Sequence, residues 1–150
     1  MPTIMTMKTM RRDRFTIGQI ASMLDKGLCI ILYDDKENLE KMQFSTKRNI
    51  VEACICNMPL PDIGCIQNYD GTFVLRSNTN IVYALVSYLR GQFALKDLRL
   101  LDAEGCKFDD LIPLYQNRIE DKELTFHYIV RGQNGDDAEK MFFDAIEGDF

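Results

Sequence analysis

Tryptophan is absent from this sequence and histidine occurs once, as His127. A lone imidazole excludes a metal centre built from several histidines. It also leaves a Cys–His nucleophilic pair only one base to draw on, inside an alternating run where a histidine is ordinarily structural. No stretch approaches the roughly 18 apolar residues of a membrane-spanning helix. The N-terminus lacks the apolar core of a secretory signal. The five cysteines are odd in number and lack tight paired spacing, which fits a reducing compartment. The expected location is therefore intracellular, cytoplasm or nucleus. No internal repeat or low-complexity block interrupts the chain.

What is present suits one globular domain: 150 residues, 46% of them hydrophobic, enough for a core. Charge is uneven. Residues 1–50 carry nine Lys/Arg against six Asp/Glu, while residues 51–150 carry nine against seventeen, a balance of −8. An acidic body repels a nucleic-acid backbone, so nucleic acid is not an expected partner. The basic excess gathers in Lys8, Arg11, Arg12 and Arg14, interleaved with Met5, Met7 and Met10. Methionine and arginine both adapt to interfaces. Residues 1–14 are expected to form a docking arm and residues 15–150 the domain.

The densest pattern lies in the middle. Ile50, Val51, Cys54, Ile55 and Met58 recur at helical spacing. Pro59 and Pro61 then force the chain out extended. Ile63–Ile66 and Thr72–Leu75 flank Asn68-Tyr69-Asp70-Gly71, a hairpin signal. From Thr79 the period changes to 3.6 through Ile81, Ala84, Leu85, Tyr88 and Leu89, and Gly91 closes the helix.

This arrangement resembles the DGQQR domain, the ParB/sulfiredoxin-like N-terminal domain of GmrS-type modification-dependent restriction proteins. There a helix ending in LIESIL-x-G-x-P-x-P feeds a hairpin and helix written DG-x-Y-x-V-x-DGQQRL-T-A-L-x-x-F-L-x-G. Ile50–Pro61 is similar to the first run. Gly71, Phe73, Leu75, Val82, Ala84, Leu85, Tyr88, Leu89 and Gly91 fall on the second without a gap. The resemblance lays the DGQQR positions on Ser77, Asn78, Thr79, Asn80 and Ile81, and none of the five is kept. It implies a mixed α/β (α+β) fold: a small mixed or antiparallel sheet with packed helices.

The chemistry of the motif is missing. A strand handing over to a helix N-terminus is an anion site. Ile81, at the place of the arginine, lacks the guanidinium that would grip a phosphate. Ser77, at the place of the aspartate, lacks the charge a hard cation needs. Asn78 reads as the helix N-cap. Leu28–Leu32 runs into Tyr33–Asn38 without the family's Gln-Arg pair, and in Phe143–Gly148 Glu147 replaces the family's asparagine. The family domain continues beyond this helix, so a truncated relative is expected, ending at Phe150.

Other constellations carry little. Cys54 and Cys56 point in different directions on a helix, and Cys54 reads as a small core hydrophobe rather than a zinc ligand. Asp34, Asp35 and Glu37, like Asp109 and Asp110, read as solvated surface. Gly132 and Gly135 lack the Lys-Ser/Thr of a phosphate loop. The remaining elements are a helix from Ile17 to Lys26 capped by Thr16, a buried strand over Leu28–Leu32, and a charged loop or short helix after it. Ser45 or Thr46 is expected to cap the central helix. Short extended pieces are expected over 93–101, a turn into a helix at 108–118, a strand at 124–130 and an acid-capped last helix.

The expectation is a catalytically inactive structural or protein-interaction module without cofactor or metal, serving in a larger assembly such as a virus particle. The arm and Phe150 would dock it. The rival is a nucleotide-dependent nuclease subunit or DNA-binding regulator that rebuilds a phosphate site from Arg76, Asn78 and Asn80.

Overall fold

The computed structural model describes residues 10–96 and 105–131. Strand β1 (Met10–Thr16) leads without a loop into helix α1 (Ile17–Asp25). Thr16 and Gln19 form a reciprocal capping box, the Thr16 hydroxyl accepting from the Gln19 N–H at 3.1 Å. Strand β2 (Cys29–Ile31), helix α2 (Tyr33–Glu40) and helix α3 (Phe44–Ile55) follow. Then come the hairpin β3 (Ile63–Gln67) and β4 (Phe73–Ser77), helix α4 (Thr79–Leu89), helix α5 (Pro113–Glu120) and strand β5 (Glu123–Val130).

The five strands make one mixed sheet in the order β1-β5-β3-β4-β2. β1 runs antiparallel to β5 and β3 antiparallel to β4, while β3–β5 and β2–β4 are parallel. This is the expected α+β class with a mixed sheet. The hairpin turns at Gly71, whose φ of +89° only glycine adopts cheaply. Asp70 Oδ1 accepts from the Thr72 N–H at 3.0 Å, an Asx turn that holds the Asp70 carboxyl below its usual range.

Ile17, Ile20, Val51, Cys54, Ile55, Val82, Leu85 and Tyr88 bury the apolar faces of α1, α3 and α4 in one core. On the sheet side, Phe15, Phe73, Phe126 and Tyr128 meet edge to face at 4.8–5.7 Å. Cys65, the small side chain on the strand between, lets Phe73 and Tyr128 touch across it. The end of α3 is tied down by cations from elsewhere. Arg118 Nη1 donates to Ile55 O at 2.9 Å and Lys122 Nζ to Met58 O at 3.1 Å. The first satisfies a carbonyl that the helix C-terminus leaves open, with the charge the macrodipole favours, and the second holds the segment just beyond it.

Four expectations are corrected. Residues 10–14 belong to β1, so the arm does not extend to Arg14; seven consecutive pairings with β5 hold it. Leu28–Leu32 is not a buried strand. Only Cys29–Ile31 pairs, on the sheet edge, and Ile30 is 41% exposed. A continuous apolar run looks alike at a sheet centre and at a margin, because the neighbours decide burial. Helix α3 starts at Phe44 after Gln43, so neither Ser45 nor Thr46 caps it. Asn78 stands at the N-cap position of α4 but does not cap, being left-handed at φ 59° and ψ 28°. Capping needs a β-region backbone to aim the side chain at the first N–H groups.

The charged segment after β2 forms α2, and Pro113 opens α5 at its first turn as proline can. Residues 93–96 have no regular structure, although Leu95 is fully buried and bonds through its N–H to Cys106 O. The strand piece proposed over 98–101 and the last helix, including Glu147, lie outside the described residues.

Candidate functional site

The strand-to-helix junction at Ser77–Ile81 is built by two elements with opposite demands. β4 alternates, so Phe73, Leu75 and Ser77 face the helices while Val74 and Arg76 face the other side of the sheet. Ser77 is 7% exposed, and its Oγ has no hydrogen-bond partner. Arg76 stands exposed on the opposite face. Thr79 and Asn80 are half-buried in the first turn of α4, and Ile81 is sunk into the core at 5% exposure.

Asn78 is the hinge of the junction. Its Nδ2 donates to Asp62 O at 2.9 Å, tying the start of α4 to the entrance of β3. The Asp62 carboxylate in turn faces Arg12 of β1 at 3.7 Å. Arg12 lies opposite His127 in register, and His127 lies opposite Gly64. Burial lowers the His127 pKa first, the Arg12 charge lowers it further, and Asp62 opposes both. Tertiary structure therefore joins two stretches that the sequence keeps apart, the basic residues near the start and the junction at 77–81.

The other expected docking residues divide by face. Met10 packs on Ile66 and Ile129. Arg14 sits 4.0 Å from Glu123, both exposed. Arg11 lies on the helix-side face with Asp13, whose carboxylate accepts from the Tyr128 hydroxyl. Burial and that bond push the Tyr128 phenol up to about 12. Met5, Met7, Lys8, Glu147 and Phe150 lie outside the described residues.

The thiols offer no nucleophile in the core. Burial pushes Cys29 and Cys54 up to about 12 and Cys65 well above the ordinary thiol value. Cys54 Sγ donates to Arg118 O at 3.3 Å, as a core thiol does. Among the described residues, no three His, Cys, Asp or Glu side chains gather where they would hold a metal ion.

A groove of about 490 Å³ runs beside the edge of β2, walled by α2, α4 and the end of α1. Lys36, Glu40, Tyr83 and Ser87 line it with Ile30 and Val86. At one end Arg90 Nη2 donates to Ala21 O at 3.3 Å and to the Asp25 carboxylate. Sequence reading missed this groove. The continuous apolar run Leu28–Leu32 held no signal for it, since such a run reads the same at a sheet centre and at an edge.

No family model, curated protein or solved structure matches this chain. Among the described residues no helix is long and apolar enough to cross a membrane.

Proposed function

We propose that this chain is a catalytically inactive structural or protein-interaction module, a small subunit of a larger assembly. The observation that carries the reading is the use made of the junction at 77–81. Its one strongly directed amide, on Asn78, binds Asp62 O inside the protein, and Ile81 fills the core. No side chain there supplies the positive charge that phosphate recognition draws on. The high thiol pKa values leave covalent chemistry at the core cysteines without a thiolate.

One observation favours the rival reading, nucleic-acid or nucleotide binding: Arg12, Arg14 and Arg76 share the face of the sheet opposite the helices. Arg12 and Arg14 already face Asp62 and Glu123, so a phosphate would compete with those carboxylates. The acidic balance of the chain adds long-range repulsion.

A thermal-shift titration with millimolar ATP, GTP and Mg²⁺ separates the two. A ligand at 100 times its dissociation constant stabilises by about 2.7 kcal/mol, or roughly 5–10 °C for a chain of this size. The expected result is an unchanged melting temperature. A clear shift overturns the inactive-module reading and sends attention to Arg76 and Asn80.

A further inference from the structure

We propose that the open edge of β2 is a self-association surface, on which a second copy of this chain adds its own β2 antiparallel about a two-fold axis through Ile30. The inference deepens the reading of the chain as an interaction module by naming its partner.

Among the described residues the sheet has two margins, β1 and β2, and they differ in kind. β1 carries exposed Arg11, Arg12, Asp13 and Arg14, and a charged edge resists strand pairing. β2 has no charge at all. Leu28, Ile30 and Leu32 are 47%, 41% and 41% exposed, which makes a short, flat, apolar edge. Such an edge presents unpaired N–H and C=O groups beside aliphatic side chains, a template for another strand.

Register shows how a second copy would fit. Met10, Ile129, Ile66, Val74 and Ile30 lie in one row across all five strands, on the face opposite the helices. The inner members are buried and the row ends in the open at Ile30. Ile30 is the middle residue of β2. An antiparallel pairing centred on it sets Ile30 against Ile30 of the partner subunit and continues the row unbroken. Leu28 then meets Leu32 of the partner subunit, and the reverse contact repeats it, as an isologous interface requires.

Charge points the same way. Asp25 and Arg90 neutralise each other at the groove beside β2. Lys36 and Glu40 on α2, one helical turn apart, line it with opposite signs. A two-fold copy brings carboxylate and ammonium to both sides, whereas a strongly charged peptide meets a balanced wall. Three residues of edge fall far short of the roughly 1,200–2,000 Å² of a stable interface. α2 and the groove wall must therefore be covered too, and association should depend on concentration.

Sedimentation equilibrium of the full chain tests the proposal. A monomer–dimer equilibrium is expected, weakened at least about tenfold by Ile30→Lys and unchanged by Arg12→Glu on the other edge. Covalent capture guards against a misfolded variant. In a Cys56→Ser background, Ile30→Cys should cross-link to a dimer on mild oxidation. The facing Cα atoms of an antiparallel pair lie about 4.5–5.5 Å apart, within disulfide reach. Tyr69→Cys, on the exposed hairpin tip, should not cross-link. A chain that stays monomeric and does not cross-link through position 30 overturns the proposal. So does a dimer indifferent to Ile30→Lys, which would leave the module reading intact on another surface. A nucleotide-induced thermal shift would instead strike that reading and leave the dimer standing.

Discussion

Replacing Ser77 by alanine should make this protein more stable, against the usual direction of a core substitution. Ser77 sits at the end of β4 with its hydroxyl buried and unpartnered. A hydroxyl taken from water without a compensating bond costs about 1–3 kcal/mol on mutational scales. Alanine keeps the Cβ and the strand geometry and removes only the oxygen. The void left behind, roughly 15 Å³, costs about 0.4 kcal/mol at ~24 cal/mol per Å³. The net expectation is a gain of about 1–2 kcal/mol. In urea the midpoint should rise with an unchanged slope, since the area exposed on unfolding is the same. By heat the melting temperature should rise by about 2–8 °C. A lower midpoint for Ser77→Ala would refute the reasoning, because it would mean that the hydroxyl makes a bond worth more than its desolvation.

Two further outcomes follow from the same junction. Asn78→Ala should destabilise by about 2 kcal/mol, combining the poorer tolerance of alanine than asparagine for the left-handed backbone with the lost bond to Asp62 O. Asn78→Gly keeps the conformation and should cost only about 1 kcal/mol, so equal losses in paired urea melts would refute the conformational part. His127, the single histidine, should titrate below 6.5 in the folded protein by NMR of its ring protons. Its folded pKa is depressed, so its contribution to stability is complete above 6.5 and is lost as pH falls through that value and then the folded one. Arg12→Ala should move the titration up and Asp62→Asn should move it down; the reverse order would contradict the register across β1 and β5.

Local chemistry alone determined much of this chain. The Thr16 cap, the Asp70-Gly71 turn, the alternation at 124–130, the periodicity of 79–89 and the stop at Gly91 each rest on residues a few positions apart. Backbone sterics and hydrophobic spacing act over that range, so these elements were legible before any packing was known. The class of the fold was expected from the resemblance of the middle stretch, and the mixed sheet bears it out.

Tertiary structure decided what those elements face. The apolar run at 28–32 carries no mark that it would stand at a sheet margin, because an edge is defined by a missing neighbour. Asn78 carries the mark of a cap, yet its left-handed backbone turns the amide to Asp62. Residues 10–14 read as part of a docking arm because their charges hide the strand alternation, and only pairing with β5 orders them. The meeting of Arg12, Asp62, Asn78 and His127 spans the length of the chain. Sequence patterns report periodicity within a segment; the register between segments is set by which faces must leave water together.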